Sequence, residues 1–128
     1  MDKGFVKVYF AHEFGGKQEN FEHMDEVLRA LYSTIGLQMS ELSIMPVSPL
    51  HTLGFAYQYV PYEYGMEMCL NLLSQCVMMV TIDGYDDSRG VNIEREFCKK
   101  NNIQVVELKD FIDIVETIYN TFMEMRDN

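Results

Sequence analysis

The chain has no run of lysine or arginine longer than the pair Lys99–Lys100, and its 10 basic residues stand against 20 acidic ones, for a formal charge of −10. Such a field repels a nucleic-acid backbone, so polymeric DNA or RNA is not an expected partner. A small nucleotide is a different case, because one phosphate needs only a few backbone N–H groups and one arginine. Cysteine is also scarce: Cys69, Cys76 and Cys98 are odd in number, sit inside apolar segments and form no C-x-x-C pair. They read as packing residues rather than a disulfide framework, and they point to a reducing compartment. No long apolar run is present, since the most apolar stretch, residues 69–82, is broken by Asn71, Ser74 and Gln75. Nor does the N-terminus show a charged start, apolar run and small-residue cleavage site, so a cytoplasmic protein without membrane contact is expected. His12, Glu13, His23 and His51 match no ligand spacing and lie on separate segments, so neither a metal nor another cofactor is expected. Repeats, low-complexity tracts and linkers are missing too, which leaves periodicity to reveal the organisation.

What is present suits one domain over residues 1–128. Apolar residues make up 48 % of the chain, enough to offset the entropy of folding around a single core. Residues 5–11 (FVKVYFA) and 77–82 (VMMVTI) are apolar runs of strand length, and the second lacks alternation, as a strand covered on both faces does. Residues 43–47 and 103–108 are shorter candidates, and Pro46 places the former at a sheet edge. Between them lie helical patterns. Phe21, Met24, Val27, Leu28 and Leu31 follow Asn20, read as an N-cap. Pro61 suits the first turn of a second helix with a stripe of Tyr62, Met66, Cys69, Leu70 and Leu73. Val91, Phe97 and Cys98 mark a third helix, and Phe111, Val115, Ile118 and Phe122 a fourth. Strictly alternating β and α elements predict an α/β fold: a small Rossmann-like, flavodoxin-like three-layer sandwich with a mostly parallel sheet of four or five strands. Ligands of such folds sit beyond the carboxyl ends of the strands. The site is therefore expected in the loops at residues 12–18 and 83–90.

In the stretch DDSRGVNIERE (86–96), Ser88 can cap the third helix while its free N–H groups, with Gly90 and Arg89, face an anion. An ordinary N-cap followed by a glycine turn is the plainer alternative. Val91, Glu94 and Cys98 fall at i, i+3 and i+7, which puts Glu94 on the apolar stripe. Glu96, four residues before Lys100, reads as half of a solvent-side pair. A carboxylate facing the core is costly unless it is paired or raised in pKa, and such costs collect at functional sites. A partly buried Glu bonded to a tyrosine or a backbone N–H is the alternative reading.

These segments, YFAHEFGG after the first strand and SRGVNIE before the third helix, together with YEYGMEMCLNLLSQC in the second helix, resemble the nucleoside 2-deoxyribosyltransferase-like superfamily, in particular a branch of small bacterial and phage proteins. The S-x-G-x-x-x-E spacing carries most of the likeness. The resemblance implies that Glu94 attacks the anomeric carbon of a deoxynucleoside, and that Ser88, with Arg89 and Gly90, contacts a 5′-phosphate. Tyr9, Phe10, His12 and Gly16 join the ligand-binding set. The acceptor then decides between transferase and hydrolase. Where the superfamily has an aspartate in the second helix this chain has Cys69, and Val77 stands where another often opens the next strand. Glu13, Glu63 or Tyr9 is expected to replace the missing acid. A non-catalytic nucleotide-binding or sensor module is the rival expectation. The aromatic stretch at residues 54–65 is either a lid stacking on a base or a surface for a partner subunit, and the long last helix suggests a homo-oligomer.

Overall fold

The computed structural model describes residues 4–127. Strands β1 (Val6–Ala11), β2 (Ile44–Val47), β3 (Met78–Thr81) and β4 (Gln104–Glu107) are joined by helices α1 (Gln18–Glu41), α2 (Pro49–Leu53), α3 (Tyr62–Leu73) and α4 (Arg89–Lys100), and α5 (Leu108–Asp127) closes the chain. The four strands make one all-parallel sheet in the order β2-β1-β3-β4. Helices cover both of its faces, so the molecule is a Rossmann-like three-layer α/β sandwich, as the alternation predicts.

Strand periodicity sorts the side chains of β1 and β3 between two cores. Val8, Phe10, Val80 and Ile82 pack with Met24, Leu31, Ile35 and Met39 of α1 and with Phe111 and Val115 of α5. Tyr9, Ala11, Val47 and Met79 face the other way, onto Leu73 of α3 and Val91 and Cys98 of α4. Central strands lie under both layers, which explains the absence of alternation in the VMMVTI run. Pro46 sits in β2, an edge strand as expected, where its missing N–H breaks no ladder on the open side.

Three local expectations change. Asn20 is not the cap of α1: the helix starts three residues earlier than expected, behind Lys17, because Gly15 and Gly16 at φ +60° and +72° turn the chain sooner. Asn20 is instead buried, and its Nδ2 donates to the Phe14 carbonyl at 2.9 Å, tying the β1 loop to the helix. Pro61 is the N-cap of α3 rather than part of its first turn. The segment after β2 was not expected to be helical, yet Ser48 accepts from His51 N at 3.4 Å and Pro49 opens the short helix α2. In α5, Phe111 and Val115 are buried, while Ile118, Phe122 and Met125 continue the stripe uncovered. Among the described residues, no helix is long and apolar enough to cross a membrane.

Candidate functional site

Strand order reverses direction at β1, with β2 on one side and β3 on the other, and a cavity of about 270 Å³ opens beyond the carboxyl ends of the strands there. Its wall is drawn from the loop after β1, from α2 and the turn behind it, from α3, and from the start of α4. Glu94 lies in that wall at 5 % exposure, with Val91 and Cys98 above and below it on the buried stripe of α4. The helical phase read from the sequence therefore holds. Glu96, two residues on, is exposed, but no ion pair joins it to Lys100.

Burial pushes the Glu94 carboxyl from its ordinary value up to about 7, against the opposing pull of a hydrogen bond donated by the Tyr9 hydroxyl to Oε2. Tyr9 is itself fully buried and held strongly protonated, first by desolvation and then by the carboxylate beside it. A folded-state pKa above the unfolded value means that the native state binds the extra proton, so Glu94 lowers stability as pH rises from about 4.5 through about 7. The shift corresponds to about 3 kcal/mol. Glu94→Gln keeps an acceptor for Tyr9 without a charge. Its urea midpoint is expected to exceed that of wild type at pH 8 and to match it near pH 4.5; a constant difference across that range would contradict the burial argument.

Next to Glu94 stands the turn of Ser88, Arg89 and Gly90, and all three line the cavity. Ser88 Oγ accepts from Val91 N at 3.2 Å, capping α4 and leaving its own O–H free to donate. Arg89 lays its guanidinium over the Tyr62 ring, 4.4 Å from the centroid. Arg95, which the sequence did not single out, fixes the loop from beneath, with one N–H to the Asp86 carbonyl at 2.6 Å and another to its carboxylate at 3.0 Å.

Across the opening are His12 and Glu13. His12 is buried and stacked on Tyr85 at 4.4 Å. Its Nδ1–H donates to the Glu13 carbonyl at 2.6 Å, so in the neutral ring Nε2 accepts from His23 Nδ1 at 2.8 Å. Burial lowers its pKa and keeps that neutral form. His12 thus supplies shape rather than a free ring nitrogen. His51 is elsewhere, bonded to Ser48 and Asp25, so it does not join the His12–His23 pair. Cys69 lies in the wall, and burial, with Glu94 beside it, lifts its thiol to about 11. At neutral pH it is a protonated, unreactive group.

Gly16 acts indirectly. It does not line the cavity, but a Cβ there would stand 2.8 Å from the ring of Tyr57, which does. Gly15 shares the left-handed backbone but has nothing within 4 Å. Alanine at either position is expected to cost about 1–2 kcal/mol of backbone strain. Gly16→Ala alone should also displace Tyr57, whereas Gly15→Ala adds a methyl group at the cavity wall without touching that ring. Near-UV circular dichroism of the two folded variants separates them, and identical aromatic signals would rule out a supporting role for Gly16.

Four expected site residues do not line the cavity: Tyr9 touches it only through Glu94 and Gly16 only through Tyr57, while Phe10 and Glu63 fall outside altogether. Phe10 is fully buried on the opposite face of β1, its ring edge-on to Phe111 at 5.6 Å, because Tyr9 and Phe10 alternate across the strand. Glu63 is exposed on α3, whose phase turns Tyr62, Gly65, Met66 and Cys69 to the cavity instead. Of the carboxylates expected as acid partner, only Glu13 reaches the wall. Sequence reasoning missed Pro49, Leu50 and Leu53, although the rule that α/β ligands gather beyond strand ends applies to β2 as much as to β1 and β3. The aromatic stretch divides: Tyr57 and Tyr62 turn inward, while Phe55 and Tyr59 are 78 % and 77 % exposed.

A family profile described as a domain of unknown function (DUF4406) matches residues 6–107. The chain belongs to the DUF4406 family. The match runs from the first residue of β1 to the last of β4, so the DUF4406 segment contains the sheet and every residue named in the cavity wall, and α5 follows it. Neither the curated proteins nor the solved structures contain a significant match.

Proposed function

We propose that this protein is a deoxyribosyltransferase or N-glycosidase that acts on 2′-deoxynucleosides or their 5′-monophosphates through Glu94. The observation that carries the reading is a buried carboxylate with a pKa of about 7, bonded by Tyr9 and set in a cavity wall beside a capped helix start with Arg89. In the first step one Glu94 oxygen bonds to C1′, the C1′–N bond breaks with its electron pair going to the base, and the base takes up a proton. In the second, water or another base attacks C1′ and releases the carboxylate. Glu94 must be ionised to attack, so activity rises with pH through about 7. Glu13 is the other acidic side chain in the wall and the expected acid partner of Glu94. The apolar rim of Phe14, Tyr57 and Leu53 suits a planar base.

The second reading, a nucleotide-binding module without chemistry, is favoured by Cys69, a thiol where a second carboxylate would assist catalysis. The deciding experiment measures free base released from a panel of deoxynucleoside monophosphates by wild type and by Glu94→Ala, alongside melting temperatures with each nucleotide. Release that depends on Glu94 supports the enzyme; thermal stabilisation without release supports the module. A homo-oligomer belongs to the same proposal, with the uncovered Ile118, Phe122 and Met125 of α5 as the apolar face it would cover.

A further inference from the structure

Among the described residues, one buried side-chain polar atom has no hydrogen-bond partner: the hydroxyl of Tyr62. Buried polar groups are nearly always bonded, and an orphan at a cavity wall points to a partner that arrives from outside. Tyr62 lines the cavity, and its oxygen lies 3.5 Å from the position a Cβ would occupy on Gly90, which places it over the first turn of α4. The Arg89 guanidinium resting on the ring holds the phenol in that pose. Desolvation raises the Tyr62 pKa and outweighs the contrary effect of Arg89, so the group carries its proton at neutral pH. An O–H, a guanidinium and the N–H groups of a helix start converge there, and all are donors. Their complement is an acceptor without a proton of its own, which describes the oxygen of a phosphate better than a sugar hydroxyl.

We propose that Tyr62 is a substrate-positioning residue, its hydroxyl donating to the anionic oxygen that the bound ligand places over the start of α4. This deepens the glycosidic reading and rests on it. Through Tyr62 the site would hold a 5′-monophosphate in preference to the unphosphorylated deoxynucleoside, and would fix the distance from the phosphate to Glu94.

The test is Tyr62→Phe, which deletes one oxygen and keeps the ring under Arg89. Without ligand, the variant is expected to melt at the wild-type temperature or above it, because the hydroxyl has no partner in the fold. Its dissociation constant for deoxynucleoside 5′-monophosphates, measured calorimetrically, should rise by about tenfold, the value of one hydrogen bond. The matching deoxynucleosides should bind both proteins equally. A variant that melts several degrees lower, or that binds monophosphates as tightly as wild type, overturns the role of Tyr62. Equal weakening for nucleosides and monophosphates overturns the anion as its partner. Wild type binding no nucleotide at all overturns the glycosidic reading itself and this role with it, an outcome distinct from wild-type binding that Tyr62→Phe leaves unchanged.

Discussion

If the proposed mechanism holds, Glu94→Ala is expected to lower release of free base from deoxynucleoside monophosphates by on the order of 10³-fold or more, since it would remove the atom proposed to bond to C1′. That factor is about 4 kcal/mol of transition-state stabilisation, larger than any positioning contact in the site provides. Loss of folding will not account for it. Deleting the carboxylate leaves the Tyr9 hydroxyl without an acceptor, at a cost of about 1–3 kcal/mol, but it also removes a buried charge whose raised pKa corresponds to about 3 kcal/mol at alkaline pH. The two nearly cancel. The variant should therefore melt close to wild type above pH 7 while its activity is gone, and circular dichroism beside the base-release assay checks both. Equal rates for the two proteins would end the case for chemistry at this position.

Phe10→Ala is expected to have the largest effect on stability. The ring is fully buried, packed edge-on to Phe111 between β1, α1 and α5, and removing such a side chain costs about 3–5 kcal/mol through lost burial and the cavity left behind. Small domains have about 5–15 kcal/mol in all, so the variant should unfold at much lower urea. Any folded fraction should bind ligand with unchanged affinity, because the ring points away from the site. Tyr9→Phe, one residue earlier, should behave in the opposite way. Without the Tyr9 hydrogen bond the Glu94 pKa moves further up, and the pH–activity curve shifts to the alkaline side. A Phe10→Ala variant that loses less than about 1 kcal/mol in urea unfolding would contradict the packing assigned to it.

The contrast between Tyr9 and Phe10 shows where sequence reading reached its end. The YF pair follows a strand and was grouped whole into the ligand set, but in β structure neighbouring side chains take opposite faces. Only Tyr9 meets Glu94. Glu94 itself was legible because its three companions on a helix, Val91, Cys98 and the cap Ser88, are close in the chain, and a period of 3.6 turns spacing into direction. Glu13 and Glu63 were equivalent candidates in the sequence. The phase of α3, fixed by Pro61 and by packing against the sheet, sends Glu63 to solvent, whereas Glu13, two residues beyond the end of β1, lies in the wall.

Local chemistry within a dozen residues determined the alternation of strands and helices, the edge position of Pro46, the capped start of α4 and the inward face of Glu94. Distances across the chain decided the rest. Tyr9 and Glu94 are 85 positions apart, and the meeting of Gly16 with Tyr57, or of Tyr62 with Arg89, depends on how β1, α3 and α4 settle against one another. Hydrophobic periodicity specifies which face of an element is buried, but it carries no information about which buried faces adjoin, and a cavity is made only where they do.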